Sequence, residues 1–291
     1  MTTKIKVYAI AGATASGKTK YAIELAQKIG GEIISADSRM VYKYFNIGTA
    51  KPSFEERQGI IHHLIDIIEP EEDYSAGAFY KDVMKLIPEI VSRGNIPIIA
   101  GGTGLYFKVL CDNYNLPKVE PNYELRVELE NFANYNGAEK LHDMLKQLDI
   151  QTALKVHPNN VVRVIRSLEI IKTLGKPLSE VVTKNSDNEL FDFELIGLNF
   201  ENRELLYERI NKRVDQMIEM GLLKEVETLL DRYGKIKSLT NTIGYQEFIP
   251  FFEKQKSLDE TIDKIKQNTR HYAKRQISLL KGLPNLKLIN V

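Results

Sequence analysis

One octapeptide near the start of the chain constrains its fold more than any other segment. Residues 12–19 read GATASGKT, which fits the spacing G-x-x-x-x-G-K-[ST] of a phosphate-binding loop. An apolar run, Ile5–Ala11, precedes it, and a helical pattern, Lys18–Ile29, follows it. The motif therefore stands between a strand and a helix, as this type of loop requires. The sequence predicts an α/β fold with a P-loop NTPase-like phosphate loop that binds a pyrophosphate group.

The residue types of the loop explain how it would hold an anion. Glycines let the backbone turn so that successive N–H groups point at phosphate oxygens, and the N-terminus of the following helix adds a partial positive charge. Lys18 would supply a point charge to the phosphate oxygens, and the Thr19 hydroxyl would ligate Mg²⁺. The alternative is a glycine-rich turn that only packs. The residues predicted to bind the anion are Gly12, Ala13, Thr14, Ala15, Ser16, Gly17, Lys18 and Thr19.

Further apolar runs predict the rest of a parallel sheet. They lie at Glu32–Ala36, His62–Ile67, Ile96–Ala100 and Phe193–Phe200, with helical patterns such as Ala76–Arg93 between them. Strands without polar alternation that are separated by helices are typical of a parallel sheet covered on both faces. The pattern between them, from about residue 121 to 180, is helical throughout. We predict an α/β core, residues 1–115 and 190–291, that carries an all-helical insertion domain at 116–189.

Polar residues follow two of the predicted strands. Asp37 comes directly after Glu32–Ala36, and the turn Gly101–Gly104 (GGTG) follows Ile96–Ala100. The carboxyl ends of parallel strands form the rim where ligands bind. There the Asp37 carboxylate could hold Mg²⁺ or act as a general base, and the Thr103 hydroxyl could hydrogen-bond a substrate amine or phosphate. The alternatives are that Asp37 caps a turn and that Thr103 caps a helix.

Composition and charge exclude several classes of protein. One cysteine rules out a disulfide framework and an all-cysteine zinc site. No apolar stretch approaches the ~20 residues of a membrane span, and no signal peptide pattern is present, so we expect a cytoplasmic protein with no membrane contact. The net charge of +1 argues against a uniformly basic nucleic-acid binder, but basic residues cluster at 155–176 and 264–291. Each cluster either follows a phosphate backbone or is a solvated helix surface.

Taken together, the motifs resemble those of one family, the tRNA dimethylallyltransferases, also called tRNA isopentenyltransferases. The resemblance spans nearly the whole chain, and segments 35–52 and 96–110 are far more specific than the phosphate loop. The segments that carry it are GATASGKT (12–19), SADSRMVYKYFNIGTAKP (35–52), HHLIDIIEPEEDYSAGAFYKD (62–82), IPIIAGGTGLYFKVL (96–110), HPNNVVRVIRSLEIIKTLGKPLSE (157–180), LYERINKRVDQMIEMGLLKEV (206–226), TIGYQEF (242–248) and TRHYAKRQIS (269–278).

The resemblance implies an activity and its substrates. The loop would hold the diphosphate of dimethylallyl diphosphate, and the enzyme would transfer the dimethylallyl group to N6 of adenosine 37, releasing diphosphate. The acceptor tRNAs would be those that read codons beginning with U, and the insertion would contact the anticodon stem-loop. Mg²⁺ is the implied metal ion. Because no heptad or exposed apolar stripe predicts an obligate dimer, we expect a monomer.

The resemblance also implies residue roles. Asp37 would accept the proton from the adenine N6 amine, Thr103 would place the base, and Lys18 with Mg²⁺ would stabilise the departing diphosphate. An arginine would reach the diphosphate, either Arg209 or Arg213. The residues that match the tRNA-contacting regions of the family are Asp37, Ser38, Arg39, Met40, Thr103, Arg126, Val162, Arg163, Val164, Ile165 and Arg166.

The sequence departs from the family pattern at a few positions. Met40 stands where the family commonly has Gln, Ala13 replaces a common Pro, and Ile277-Ser278 replaces a frequent Thr-Trp. The zinc-finger extension of eukaryotic relatives does not occur, so the resemblance is to the bacterial type. Three other functions stay open at the level of sequence: a small-molecule kinase, an adenylate isopentenyltransferase that acts on free AMP or ATP, and a non-catalytic RNA-binding protein.

Overall fold

The chain forms two compact units. The computed structural model describes residues 4–111, 117, 119–181, 190–200 and 202–290. One unit comprises Met1–Asp112 with Asn188–Val291, and the other comprises Asn113–Asp187. The predicted domain junction at 115–116 and residue 189 lie outside the described residues. Within the described ranges, no helix combines the length and the apolar character needed to cross a membrane.

The first unit is built on a parallel sheet. Within the described residues the sheet has six strands in the order β3-β2-β4-β1-β5-β6. The strands are β1 (Ile5–Gly12), β2 (Gly31–Ala36), β3 (His62–His63), β4 (Ile96–Gly101), β5 (Phe191–Asn199) and β6 (Lys287–Asn290). Ala9 of β1 lies opposite Ile99 of β4 on one side and Leu195 of β5 on the other, and every strand pair is parallel. The predicted α/β fold is confirmed.

Helices cover both faces of this sheet and make up the second unit. In chain order they are α1 (Lys18–Ile29), α2 (Ala76–Ser92), α3 (Gly104–Cys111), α4 (Tyr123–Asn136), α5 (Ala138–Leu148), α6 (Ile150–Ala153), α7 (Val161–Leu174), α8 (Leu178–Val181), α9 (Arg203–Glu219), α10 (Leu222–Tyr233), α11 (Lys237–Thr240), α12 (Phe248–Phe252) and α13 (Leu258–Lys281). The second unit holds α4 to α8, and its described residues contain no strand.

The central strand shows why its sequence has no polar alternation. Val7, Ala9 and Ala11 point to one face of the sheet, where they belong to a core that includes Phe79 of α2. Ile10 points to the opposite face and packs with residues of α1. Because successive side chains of a strand alternate between faces, burial on both faces requires an apolar residue at nearly every position.

Two segments differ from the sequence-based expectation. The predicted strand His62–Ile67 is shortened to His62–His63, because Leu64 (φ 61°) and Asp66 (φ 57°) take left-handed conformations that cannot continue a strand. The edge strand β6 was not predicted. Its residues are mostly exposed, so they lack the apolar run that marks the buried strands.

Candidate active site

The phosphate loop lies between β1 and α1 in a constrained conformation. Gly17 (φ 82°) and Ala15 (φ 60°) both occupy the left-handed region, which costs energy for a residue with a side chain. A Cβ at Gly12 would lie 2.5 Å from Ser16 Oγ, so a side chain there would displace the Ser16 hydroxyl. The Ser16 hydroxyl is itself buried and has no hydrogen-bond partner in the described part of the chain. Because buried hydroxyls are normally paired, this atom is available to a ligand or to a water molecule in the loop.

The turn that follows β4 meets the segment that follows β2. Thr103 Oγ1 accepts a hydrogen bond from the Ser38 N–H at 3.1 Å, and the Thr103 N–H donates to the Ala36 carbonyl at 3.2 Å. A Cβ at Gly101 would lie 2.1 Å from that carbonyl oxygen, so glycine permits the close approach of the two strand ends. These bonds hold the Thr103 hydroxyl beside the residue that follows Asp37.

Asp37 caps a turn and also lines a cavity at the phosphate loop. Its Oδ1 accepts a hydrogen bond from the Arg39 N–H at 2.9 Å, which caps the turn after β2. The same residue lines a small cavity of about 20 Å³ together with Lys18 and Thr19. A cavity of this volume holds about one water molecule. The turn therefore fixes the carboxylate at the end of the sheet beside the phosphate loop.

Two cationic side chains near this carboxylate have lowered pKa values. Burial lowers the pKa of the Lys18 ammonium to about 8; the negative charge of Asp37 opposes this shift, and the positive charge of Arg213 adds to it. Burial also lowers the pKa of Arg213, against the opposing charges of Glu56 and Asp37. A bound anion would stabilise both charged forms. The electrostatics of the loop therefore favour an anionic ligand.

The structure separates the two candidate arginines of α9. Arg213 is half-buried and close enough to Lys18 and Asp37 to interact electrostatically with both. Arg209 is exposed, and its guanidinium lies over the Phe200 ring at 4.9 Å from the centroid. Arg213 is therefore the arginine that the fold brings to the charged groups of the phosphate loop.

Met40 is buried beside the cavity at the phosphate loop. Only 9% of the residue is exposed, its sulfur lies 3.8 Å from the Ser35 hydroxyl, and the side chain lines the cavity beside Lys18 and Asp37. Burial keeps this side chain away from the outer surface, and its contact with RNA stays a prediction. Arg39, also predicted to contact RNA, donates to the Asn241 carbonyl at 3.1 Å.

In the helical unit, the predicted RNA-binding residues divide into two groups. The side chains of Val164 and Ile165 pack in the hydrophobic core of that unit, and their assignment to RNA stays a prediction. Val162 is 79% exposed, and Arg163 is exposed as well. One turn of α7 thus presents two of the four residues to solvent and buries the other two.

The remaining basic candidates of this unit surround a buried carboxylate. Glu169 is fully buried and accepts hydrogen bonds from Arg126 Nε at 2.9 Å and Arg126 Nη2 at 3.0 Å. Arg166 Nη1 donates to the same carboxylate, and the Asn122 N–H adds a bond at 2.7 Å. A buried carboxylate needs such partners, so the guanidinium groups of Arg126 and Arg166 stabilise the fold of this unit.

Sequence reasoning missed a polar residue of α13 at the phosphate loop. Gln276 is 3% exposed and hydrogen-bonds both the loop and the turn after β4. Tyr272, one turn earlier, has a pKa raised to about 12 by burial and then by the negative charge of Asp37. Both residues belong to the segment 269–278. The sequence-based prediction for this segment rested on its basic residues and did not include the polar residues between them.

The neighbouring histidines His62 and His63 each contact another residue of the sheet region through a ring nitrogen. His62 Nδ1 lies 2.9 Å from the Ile60 carbonyl, and His63 Nε2 lies 2.6 Å from the carboxylate of the buried Glu32. Among the residues that the structure describes, no three His, Cys, Asp or Glu side chains group as metal ligands. The Thr19 hydroxyl at the cavity stays the predicted metal contact.

The parallel sheet and the strained strand–loop–helix define an α/β protein of the phosphate-loop class. A sequence profile described as IPP transferase matches residues 40–282, and one described as isopentenyl transferase matches residues 5–74. The chain belongs to the IPP transferase family, which confirms the resemblance recognised from the motifs. The tRNA dimethylallyltransferase of Acetivibrio thermocellus is 46% identical over 288 residues, 98% of this chain and 91% of that protein. That of Geobacillus thermodenitrificans is 46% identical over 273 residues, 94% and 86% of the two chains.

Solved structures show the same relationship. The tRNA isopentenylpyrophosphate transferase of Bacillus halodurans matches with a TM-score of 0.72 and 42% identity, covering 99% of this chain and 90% of its own. A eukaryotic dimethylallyltransferase acting on tRNA matches with a TM-score of 0.81 and 33% identity, covering 99% of this chain and 74% of its own. Both neighbours support the P-loop-like α/β fold.

Proposed function

We propose that this protein transfers the dimethylallyl group of dimethylallyl diphosphate to N6 of adenosine 37 in tRNAs that read codons beginning with U. One observation carries the proposal: the fold assembles Lys18, Arg213 and the Asp37 carboxylate into one electrostatic cluster at the phosphate loop. The cations suit a diphosphate leaving group, and the carboxylate suits a proton that must leave an amine. The relatives named tRNA dimethylallyltransferase support this assignment.

The transfer breaks the bond between the allylic C1 and the diphosphate oxygen and forms a bond between C1 and N6. Positive charge develops on the allylic carbon and negative charge on the departing diphosphate, so stabilisation of the leaving group is the main task. The backbone amides of the loop, Lys18 and Arg213 meet that negative charge. The N6 proton passes to Asp37, which leaves neutral N6-dimethylallyladenosine and diphosphate as products.

Mg²⁺ would be held by the Thr19 hydroxyl. The Thr19 hydroxyl and the Asp37 carboxylate both line the cavity beside the phosphate loop, and a small number of protein oxygens suits this ion, because Mg²⁺ keeps several waters and binds substrate phosphates with few protein ligands. When bound, the ion supplies further charge neutralisation at the diphosphate oxygens.

The hydroxyl of Thr103 complements Asp37 as a reader of adenine. Its oxygen already accepts the Ser38 N–H at 3.1 Å, so its own hydrogen is available to donate. Adenine offers an amine donor next to ring nitrogens that accept. A carboxylate acceptor and a hydroxyl donor on adjoining strand ends therefore match adenine. To reach them, the base must leave its stack, as unpaired loop bases can.

RNA binding is assigned to the exposed part of the predicted surface. On α7, Arg163 and Val162 are open to solvent, and an arginine in this position can pair with a phosphate. Ser38 and Arg39, which directly follow Asp37 in the other unit, are also assigned to RNA binding. The tRNA anticodon stem-loop, the monomeric state and the cytoplasmic location stay predictions.

The experiment that tests the function uses radiolabelled dimethylallyl diphosphate, Mg²⁺ and unmodified tRNA, with parallel reactions that contain AMP or ATP instead. We expect label only in tRNA, at adenosine 37. Label in AMP or ATP would instead identify an adenylate isopentenyltransferase. Hydrolysis of ATP without any labelled product would identify a kinase-like phosphate loop. Binding of tRNA without label in any product would identify a non-catalytic RNA-binding protein.

A variant of the general base sharpens this test. Asp37→Asn keeps an oxygen that can accept the Arg39 N–H, so the turn is retained, but an amide cannot take the N6 proton. We expect the transfer rate to fall by about 10²–10⁴-fold, with the Kd for tRNA changed less than about threefold. Equal losses of rate and tRNA affinity would refute the assignment of Asp37 as the base.

A further inference from the structure

Gln276 is a buried polar side chain at the phosphate loop that the proposed chemistry does not use. It lies on α13 with 3% of its surface exposed. Its Oε1 accepts a hydrogen bond from the Thr14 N–H at 2.9 Å, and its Nε2 donates to the Gly102 carbonyl at 2.9 Å. One amide group therefore joins the phosphate loop to the turn that carries Thr103.

These two bonds fix the position of Gln276. With Nε2 held by the Gly102 carbonyl, Oε1 cannot turn away from the loop without breaking both contacts. The turn has room for the side chain only because it lacks one of its own, since a Cβ at Gly102 would lie 2.3 Å from Nε2. The fold therefore holds the Gln276 amide in one orientation against the loop.

The contact changes what the phosphate loop can offer an anion. Such a loop binds phosphate oxygens through successive backbone N–H groups, and each residue has only one such donor. The Thr14 N–H is already donated to Gln276 and the Ser16 N–H to the Ala13 carbonyl at 3.2 Å, so the donors that remain come from the rest of the loop. A third phosphoryl group brings further negative charge that must also be removed from water, and an unpaired charge in a buried place is costly.

We propose that Gln276 sets the length of polyphosphate that the loop accepts, by withholding the Thr14 amide so that a diphosphate is favoured over a triphosphate. This inference rests on the proposed function only in that the loop holds a diphosphate. It gives a physical reason why a loop of the type that binds nucleoside triphosphates in other proteins would select a prenyl diphosphate in this one.

The test compares the affinities for inorganic diphosphate and inorganic triphosphate at one pH and one Mg²⁺ concentration, by calorimetry. The wild-type protein should bind diphosphate more tightly. Gln276→Met, which is similar in size but has no amide, should reduce this preference at least tenfold, because the freed Thr14 N–H can donate to the third phosphoryl group. Gln276→Glu keeps an acceptor for the Thr14 N–H but loses the donor to the Gly102 carbonyl and adds a negative charge, so it should weaken the binding of both anions without favouring triphosphate.

A matched control lies on the same helix. Gln267 is exposed and its side chain bonds only to Lys264 Nζ, at 2.8 Å, in the described structure, so Gln267→Met should leave both affinities unchanged. The proposal is overturned if the wild-type protein binds triphosphate as tightly as diphosphate. It is equally overturned if Gln276→Met weakens both anions by the same factor, since Gln276 would then be a structural brace only.

Two further results keep this inference distinct from the proposed function. If Gln276→Met does not fold, Gln276→Ala, which also frees the Thr14 N–H, replaces it, and an unchanged preference in that variant overturns the inference. If the wild-type protein shows the preference but labels no tRNA, the proposed function fails and the role of Gln276 stands. If the wild-type protein binds neither anion, both fail together.

Discussion

The depressed pKa of Lys18 predicts how the affinity for dimethylallyl diphosphate depends on pH. In the protein without an anion this pKa is about 8, against an ordinary value of 10.5, because the ammonium is buried. A bound diphosphate favours the charged form and raises the pKa to its ordinary range or above. Below pH 8 Lys18 is already protonated and affinity is fully present. Above pH 8 binding must take up a proton, so affinity falls by up to about tenfold per pH unit.

At pH 9 we therefore expect the Kd for dimethylallyl diphosphate to be about tenfold higher than at pH 7. Calorimetry without tRNA, in two buffers of different ionisation enthalpy, measures this change and the proton uptake together. Uptake should approach one proton at pH 9 and be close to zero at pH 7. Tyr272, with its pKa raised to about 12 by burial and by the Asp37 charge, stays protonated throughout this range.

Lys18→Met is the matched control for this prediction, because it removes the titrating group and keeps much of the side-chain volume. It should bind dimethylallyl diphosphate more weakly at pH 7 and show no proton uptake at pH 9. A wild-type Kd that is constant from pH 7 to pH 9 would refute the reasoning. An unchanged pH dependence in Lys18→Met would show that another group titrates.

Two further predictions separate residues that look alike in the sequence. Arg213→Ala should raise the KM for dimethylallyl diphosphate at least tenfold in steady-state assays, whereas Arg209→Ala, which removes an exposed side chain stacked on a ring, should change it less than twofold. Arg163→Glu should weaken tRNA binding and lower the slope of log K against log salt by about one without lowering the melting temperature. Arg166→Glu should instead lower the melting temperature, because it leaves the buried Glu169 without one partner; equal effects of the two reversals would contradict this division.

The parts of this molecule that the sequence predicts are those written into short, contiguous segments. The phosphate loop needs glycines and a Lys-Thr pair at fixed spacing, and the helix Lys18–Ile29 has the same bounds in the structure as in the sequence pattern. The buried strands follow from the demand for apolar residues on both faces. Family membership follows from long motifs, such as segments 35–52 and 96–110, which are too specific to match by chance.

The parts that were missed depend on pairs of residues far apart in the chain. Nothing near Arg126 in the sequence indicates that its guanidinium will donate a hydrogen bond to Glu169, which lies on another helix. In the same way, the bond from Thr14 to Gln276 joins residues at opposite ends of the chain. Helical periodicity predicts which side of α7 is buried, but the resemblance assigned 162–166 to RNA as a block and did not divide it by face.

The order of strands in the sheet has a consequence for how the chain folds during synthesis. The central strand β1 is paired with β5 along its whole length, from Ile5 opposite Phe191 to Gly12 opposite Leu198. At ribosomal rates of about 5–20 residues per second, β5 emerges on the order of 10–40 s after β1. During that interval one edge of an apolar strand has no neighbour, which is the condition that invites aggregation. The nascent chain therefore completes both edges of its central strand only after β5 has been synthesised.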